Sequence, residues 1–352
     1  MRASLNESHS SEELRVKSRG FRAGFLLFHS FKHATARRLS PPSTSERMPR
    51  STAKLSEDDL RNGRVVADFG RHVLVEDNDH VVHPCTLRGR RLRAVCGDQV
   101  TWQPAVRGGR GVVESVQPRS SQLTRPAPHG KSEVLAANLD QIIVVCALAP
   151  PFDPNVIDRY LVAAALMDVE AVIVCNKNEL STPATQVRVD TLLDEYMAIP
   201  YPVVRTSAKT GEGLQRLAEL TIGHTSILVG QSGVGKSTLL NALRPETDAP
   251  VGELSSSSGE GTHTTSASRL YRLPAGGELI DSPGVREYTP HLSAMQDPVS
   301  GFIEFLLPAR ECRFRNCCHL HEPDCGVKAA VADAHISKRR YDSYCALVNE
   351  GM

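Results

Sequence analysis

The sequence predicts a multidomain protein with three folded parts: a small β-barrel, a central α/β domain, and a C-terminal helical module built around cysteine and histidine. Three observations support this. Short alternating segments recur from residue 63 to 124, near-continuous apolar runs alternate with helical patterns from 141 to 280, and four cysteines crowd between Cys312 and Cys325. A chain of 352 residues is long enough for two or three domains. We expect their limits at residues 60–125, 126–290 and 291–352.

Composition narrows the class of protein. The net charge of +1 argues against a protein that binds nucleic acid through bulk charge, so any such contact must use local patches. No apolar run approaches the roughly 20 residues that a membrane span needs. Clustering within the nine cysteines favours a metal site in a reducing compartment over a disulfide framework. We therefore expect a cytoplasmic protein without membrane contact.

Residues 1–50 differ from the rest, being rich in Arg and Ser and poor in aliphatic residues. We expect a disordered extension. The alternatives are a transit peptide, which such a composition also suits, and an upstream start codon misassigned ahead of Met48.

The first folded part is predicted to be a five-stranded barrel, for which the OB-fold is the candidate. Turn signals such as Gly97-Asp98 and Gly108-Gly109 separate its short segments. The predicted strands are residues 64–67, 72–75, 92–95, 99–102 and 111–116. A basic side comprises Arg88, Arg90, Arg91, Arg93, Arg107 and Arg110, which indicates either a binding face or an ordinary solvated surface.

The central part has the pattern of a doubly wound parallel sheet. Apolar runs at residues 141–148, 171–175 and 226–229 are typical of strands buried on both faces. Helical patterns at 155–165 and 185–197 lie between them. Strands that alternate with helices predict an α/β fold.

Residues 230–237 read GQSGVGKS and match the phosphate-binding loop pattern, between an apolar strand and the helical segment 237–243. Glycines let backbone N–H groups wrap phosphates, Lys236 adds a cation at the β and γ positions, and the Ser237 hydroxyl suits Mg²⁺. The expected nucleotide contacts are Gly230, Gln231, Ser232, Gly233, Val234, Gly235, Lys236, Ser237 and Thr238.

Three further segments complete a GTPase-like set. Asp281-Ser-Pro-Gly284 follows a strand, so Asp281 can hold the Mg²⁺ shell and the Gly284 N–H can meet the γ-phosphate. Two upstream segments suit a guanine base: Asn176, Lys177, Asn178 and Glu179, then Ser207, Ala208 and Lys209. In the pattern N-K-x-D the carboxylate accepts two hydrogen bonds from guanine. Glu179 is one methylene longer, which leaves the strength of guanine selectivity open.

The base-reading segments precede the phosphate loop, so the GTPase chain is circularly permuted. The order N-K-x-E, S-A-K, GQSGVGKS, GTHTT, DSPG closely resembles the circularly permuted ribosome small-subunit-dependent GTPase A family over about residues 60–345. The resemblance implies an OB-fold, a permuted GTPase domain that binds GTP or GDP with Mg²⁺, and a zinc-binding domain. It also implies action on the small ribosomal subunit and its rRNA late in assembly, with subunit-stimulated hydrolysis. We expect a monomer.

Catalysis needs a group that positions the attacking water. Val285, at the position where Ras-like enzymes have Gln, cannot do so. His263 lies in a Ser/Gly-rich loop suited to a switch, and Thr264 or Thr265 could reach Mg²⁺ and the γ-phosphate. The resemblance makes His263 the catalytic candidate; the alternative is a loop histidine that contacts RNA or solvent. Slow intrinsic turnover with strong stimulation by the partner is expected.

The cysteine cluster Cys312-x4-Cys317-x-His319-x5-Cys325 supplies four ligands for one closed, structural Zn²⁺ site. Cys318 and His321 also lie between Cys312 and Cys325, so the pattern alone leaves the ligand set open. The resemblance favours Cys312, Cys317, His319 and Cys325.

Three functions fit these motifs. The leading one is a GTP-hydrolysing assembly factor for the small ribosomal subunit. The alternative is a nucleotide-regulated RNA-binding module in which hydrolysis is incidental. A zinc-handling GTPase fits less well, because the sequence offers one closed cluster and no second, donor-like one.

Overall fold

The structure, a computed structural model, describes residues 59–105, 108–127, 131–151, 153–244, 267–282 and 299–351. The strands in these ranges are β1 (Arg61–Phe69), β2 (His72–Glu76), β3 (Val82–Leu87), β4 (Gln99–Gln103), β5 (Gly111–Val116), β6 (Gln122–Ala127), β7 (Lys131–Ala137), β8 (Gln141–Ala147), β9 (Glu170–Asn176), β10 (Val203–Arg205), β11 (Thr225–Val229), β12 (Ser268–Arg272) and β13 (Glu278–Asp281). The α-helices are α1 (Pro154–Leu166), α2 (Pro183–Ala198), α3 (Leu214–Thr221), α4 (Lys236–Leu243), α5 (Gly326–Ala332) and α6 (Lys338–Gly351). None of these helices is both long and apolar enough to cross a bilayer.

Strands β1 to β5 form a closed barrel. Their order is β1-β2-β3-β5-β4, and β1 pairs again with β4 to close the circle. All pairings are antiparallel except that of β3 with β5. Trp102 is fully buried at the centre, among Val65, Val100 and Val113. This is the five-stranded architecture of the OB-fold, which confirms the predicted barrel.

One predicted barrel strand is wrong, and another was missed. Residues 92–95 form no strand; the third strand is β3, over Val82–Leu87. Ala94 is buried but in irregular backbone, where the Val95 N–H donates to Asp98 Oδ2 at 2.8 Å. Pro84 makes β3 difficult to recognise from the sequence, because proline within a strand is expected only at the edge of a sheet. Here β5 pairs with β3 only from Cys85 onward, so the missing N–H of Pro84 leaves no gap on that side.

The central sheet has the order β10-β9-β8-β11-β13-β12. The first five strands are parallel and β12 is antiparallel. Helices α1 and α2 pack on one face through side chains such as Tyr160 and Leu193, and α3 and α4 pack on the other through Leu217 and Leu239. Helices on both faces confirm the doubly wound prediction.

The barrel is continuous with this sheet. β1 pairs with β12 at two positions, which makes a single sheet of 11 strands. Side chains reinforce the junction: Arg64 bonds to Glu278, and its other guanidinium nitrogen donates to Thr225 Oγ1 at 3.0 Å. The hairpin of β6 and β7 follows the barrel, and the predicted limit between residues 125 and 126 falls inside β6.

The C-terminal module packs around aromatic side chains. Phe302, Phe305 and Tyr344 are buried, with ring centroids 5.1 to 5.4 Å apart. Val162 of α1 belongs to the same apolar cluster. Gly301 approaches it so closely that an added Cβ would lie 2.3 Å from Val162 Cγ1. Helix α1 is therefore buried between the sheet and this module.

Candidate nucleotide site and metal centre

The segment 230–237 links β11 to α4, as the phosphate loop requires. Two of its glycines have no room for a side chain. Gly230 has φ 131° and an added Cβ would lie 2.1 Å from the Val145 carbonyl oxygen. Gly235 has φ 96° and its Cβ would lie 2.5 Å from Asn176 Nδ2. Only glycine can let this loop curl against the sheet edge.

The Lys236 ammonium is held inside the loop. Lys236 is 8% exposed, and Nζ donates to the carbonyl oxygens of Gly230 at 2.6 Å and Gln231 at 2.7 Å. Ser237 and Thr238 are exposed in the first turn of α4. A cation enclosed by the loop next to hydroxyls at a helix N-terminus is an arrangement that can bind phosphate oxygens.

Asn176 joins the three nucleotide motifs. It is 1% exposed, and its amide nitrogen donates to the Val234 carbonyl of the phosphate loop at 3.0 Å. Its amide oxygen accepts from the Thr206 hydroxyl and from the Ala208 N–H, both at 3.2 Å. The segments at 176–179, 206–209 and 230–237 thus meet at one side chain.

The predicted base-reading residues surround this point. Glu179 is exposed, and a hydrogen bond from the Ser207 hydroxyl lowers the pKa of its carboxyl group. Asn178 ties the two base segments together by donating to Glu212 Oε1 at 2.8 Å. Lys209 is exposed beside them. An ionised carboxylate backed by a buried serine can accept the two donors on a guanine edge.

Lys177 connects this region to the loop before α1. It has a left-handed backbone with φ 64°, and Nζ donates to the Ala149 carbonyl oxygen at 2.6 Å. The next residue, Pro150, lies against Gly233 of the phosphate loop, with Cδ 3.6 Å from the position of an added Cβ. This loop carries no recognised motif, so its role could not be predicted from the sequence.

Asp281 ends β13 at the same edge of the sheet. β13 and β11 are parallel and in register, with Ile280 opposite Ile227. The Asp281 carboxylate and the Ser237 hydroxyl are hard oxygen donors of the kind that Mg²⁺ prefers. The residues present therefore fit a nucleotide with Mg²⁺. His263, Thr264, Thr265, Gly284 and Val285 lie outside the described residues.

Four side chains of the C-terminal module converge on one point. The ligand atoms of Cys312, Cys317, His319 and Cys325 all lie within 4.8 Å of one another. His319 Nδ1 is 3.4 Å from the sulfurs of both Cys312 and Cys325, which are 3.8 Å apart. Tetrahedral zinc would separate two sulfurs by about 3.8 Å, and sulfur from nitrogen by about 3.6 Å. The cluster therefore fits Zn²⁺.

The chemistry of the donors agrees with a metal. Burial, and then the thiols of Cys325 and Cys312, raise the pKa of Cys317 to about 12. Crowded thiols of this kind favour the thiolate only when a cation joins them. Cys318 is exposed and lies outside the group, with its sulfur near the Asn316 carbonyl oxygen. His321, the other spare candidate, is not in the group either.

Three residues that the sequence analysis missed hold the ligand loop in place. Glu322 accepts the N–H groups of Cys318, Leu320 and His321 at 2.8 to 3.1 Å, which lowers its pKa to about 2. The remaining two are on α6: Tyr341 donates to the His319 carbonyl at 2.6 Å and Tyr344 to the Cys318 carbonyl at 2.7 Å.

Comparison with known proteins identifies relatives of this chain. A sequence model of the RsgA GTPase family matches residues 116–290. A protein of Yersinia enterocolitica named small ribosomal subunit biogenesis GTPase RsgA is 42% identical over 293 residues, which cover 81% of this chain and 84% of the relative. A protein of the same name from Sodalis glossinidius is 44% identical over 293 residues, with 81% and 84% covered.

Solved structures agree. The crystal structure of YjeQ from Thermotoga maritima matches with a TM-score of 0.66 and 34% identity, over 83% of this chain and 98% of that one. The crystal structure of YloQ, described as a circularly permuted GTPase, matches with a TM-score of 0.65 and 26% identity, over 83% and 95%. The permuted order of motifs is therefore a feature of the fold.

Proposed function

We propose that GTP hydrolysis by this protein drives a late step in maturation of the small ribosomal subunit. The premise is that the chain belongs to the RsgA GTPase family and is a GTP-hydrolysing enzyme. The names of its relatives support the partner. The structural observation that carries the proposal is Asn176, whose single amide joins the guanine segments to the phosphate loop.

The nucleotide site divides its work among these residues. Glu179, oriented by Ser207, accepts the guanine edge, and a backbone N–H of the segment 207–209 meets the guanine oxygen. Lys236 and the loop N–H groups hold the β- and γ-phosphates, while Ser237 and Asp281 hold Mg²⁺. When bound, Mg²⁺ neutralises charge on the phosphates.

The water-positioning role falls to His263, with Thr264 or Thr265 at the γ-phosphate. In GTPases without a complete catalytic set an activator contributes up to about 10⁵-fold in rate. We therefore propose slow intrinsic turnover and strong stimulation by the small subunit.

In this proposal the barrel and the C-terminal module bind the small ribosomal subunit. Arg88, Arg90, Arg91, Arg93 and Arg110 are exposed on the barrel, where they suit contacts with rRNA phosphates; Arg107 lies outside the described residues. Zn²⁺ in the closed cluster of three cysteines and one histidine is structural, because no position is left for a reacting water. We propose that the protein works as a cytoplasmic monomer.

The decisive experiment measures phosphate release from GTP and from ATP, with and without purified small ribosomal subunits. We expect GTP-selective hydrolysis that the subunits stimulate by far more than about tenfold. Stimulation below that level would contradict the proposal and favour the alternative, a nucleotide-regulated RNA-binding module in which hydrolysis is incidental.

Trapping the protein on the subunit distinguishes further between hydrolysis-driven release and incidental hydrolysis. If turnover drives release, a His263→Ala variant that binds GTP but hydrolyses it slowly will accumulate on the subunit. A pelleting assay with GTP measures this. Equal amounts of wild-type and variant protein on the subunit would favour incidental hydrolysis.

A further inference from the structure

A buried carboxylate connects the GTPase domain to the C-terminal module. Asp158 of α1 and Arg340 of α6 are both 0% exposed, and Arg340 Nη1 donates to Asp158 Oδ1 at 2.8 Å. Arg339 donates to the other oxygen at 2.8 Å, and the Tyr196 hydroxyl donates to Oδ1 at 2.7 Å. Two arginines and a tyrosine of the described chain thus share one aspartate.

Each of the two arginines also pairs with a second acidic residue of its own. Arg340 makes two bonds to Glu304, at 2.7 and 3.1 Å, and its guanidinium lies 4.5 Å from the Phe302 ring centroid. Arg339 donates to Glu195 of α2 at 2.7 Å. Because the charges of Asp158 and Arg340 are desolvated, removing one of these two partners is strongly destabilising. The arginines are therefore structural connections and not a basic surface.

The residues of α6 that come after the two arginines hold the metal-ligand loop. Tyr341 directly follows Arg340 and donates to the His319 carbonyl oxygen, and Tyr344, in the next turn, donates to the Cys318 carbonyl oxygen. The same helix thus touches the zinc ligands and the buried aspartate of α1.

Helix α1 leads from that aspartate to the nucleotide site. The Tyr196 hydroxyl also contacts the Pro154 carbonyl oxygen, at 3.3 Å, in the first turn of α1. The loop just before α1 carries Pro150, which packs on Gly233, and Ala149, which accepts from Lys177. Contacts therefore run from the zinc-ligand loop through α6 to α1, and residues 149 and 150, a few positions before α1 in the chain, contact the nucleotide segments.

We propose that Asp158 is a positioning residue that couples zinc binding to nucleotide binding through α6 and α1. Each ligand orders one end of the same set of contacts, so each favours the other. Coupling between two sites is reciprocal, and typical values change affinity about 5- to 150-fold. The inference rests on the proposed zinc and nucleotide sites, and it goes beyond them by linking their occupancy.

The test measures zinc release in the presence and absence of GDP. A chromogenic chelator with little affinity for Mg²⁺, such as pyridylazoresorcinol, reports the release rate. One zinc per chain and saturable GDP binding are established first, so failure of either proposed site is distinguished from failure of the coupling. In the wild-type protein we expect GDP to slow zinc release about fivefold or more.

Two variants break the contacts at different places. Asp158→Asn with Arg340→Met removes the central buried pair, and Tyr341→Phe with Tyr344→Phe removes two hydroxyls without leaving a buried charge. In both we expect the GDP effect to fall below about twofold, with weaker GDP binding at saturating zinc. If circular dichroism shows the first variant unfolded, the tyrosine variant decides.

The control is Lys338→Met, which changes the neighbouring basic residue. Lys338 is exposed and, among the residues that the structure describes, its ammonium pairs with Asp342 of the same helix at 2.8 Å, so this variant should keep the full GDP effect. A purely structural role of Asp158 would lower the melting temperature and leave the GDP effect intact. An equal rate of zinc release with and without GDP in the wild-type protein, or a full GDP effect in both variants, would overturn the proposal.

Discussion

Single residues define the nucleotide site more sharply than whole motifs do. Asn176 uses both ends of its amide: the nitrogen supports the phosphate loop, and the oxygen supports the segment after β10. Gly235 must lack a side chain because this amide occupies the space. The two residues lie far apart in sequence, so their dependence on each other is visible only in the folded chain.

We predict that Glu179→Gln weakens GDP binding by about 10- to 100-fold, because it removes a charged acceptor from the guanine edge. Glu179→Asp should bind at least as tightly as the wild type, since the shorter acid matches the usual pattern. Isothermal titration with GDP and ADP measures both. Glu219→Gln, an exposed change on α3, is the control. Unchanged GDP affinity in Glu179→Gln would show that Glu179 does not read guanine.

The pH dependence of this site follows from the same carboxylate. The Ser207 hydrogen bond lowers the pKa of Glu179, so the charged form persists below its ordinary pKa. The affinity ratio between the wild type and Glu179→Gln should therefore stay level between about pH 7 and about pH 5, and decline only at lower pH. A decline that begins near neutrality would indicate a different titrating group.

We predict that His263→Ala lowers the subunit-stimulated kcat by about 100-fold while GTP affinity stays the same, because the role proposed for the imidazole is to position the attacking water and not to bind the nucleotide. Single-turnover hydrolysis with a fluorescent GTP analogue separates the two quantities. His335→Ala, at an exposed histidine of the C-terminal module, serves as the control. An equal loss in both variants would argue against a catalytic role.

At the scale of elements, the metal-ligand loop has little regular structure of its own. It depends on Glu322, which accepts three N–H groups, and on the tyrosines of α6. Groups that orient metal ligands typically contribute 10- to 100-fold in metal affinity. We predict about tenfold faster zinc release in Glu322→Gln, followed with the same chelator. The exposed Glu311→Gln should match the wild type; if Glu322→Gln does too, its bonds do not support the site.

Elements with a strong periodic pattern were predicted correctly, and weakly patterned ones were not. The apolar runs at 141–148 and 226–229 are β8 and β11, and the pattern at 155–165 is α1. The segment 92–95 has the composition of a strand and buries Ala94 and Val95, yet it has no strand pairing, while β3 contains a proline. Pairing depends on the neighbouring strand, which local composition does not reveal.

At the scale of the whole molecule, the module with the zinc cluster shares its core with the GTPase domain through Val162. Structural zinc contributes on the order of 10 kcal/mol to folding, comparable to the total stability of a domain. We predict that zinc removal, by chelation or by Cys325→Ser, unfolds α5 and α6, which hold 7 and 14 residues. Far-ultraviolet circular dichroism measures the lost helix. Cys318→Ser should retain it, and an unchanged spectrum without zinc would contradict the prediction.

The sequence by itself determined the three-part architecture, the permuted order of motifs, the phosphate loop and the pool of metal ligands. Those features depend on local patterns and short spacings, which a chain displays before it folds. Tertiary structure decided which cysteines and histidine converge, that the barrel and sheet are continuous, and that Arg339 and Arg340 are turned inward onto Asp158. These features depend on contacts between residues far apart in the chain, which burial and charge pairing select only once the elements pack.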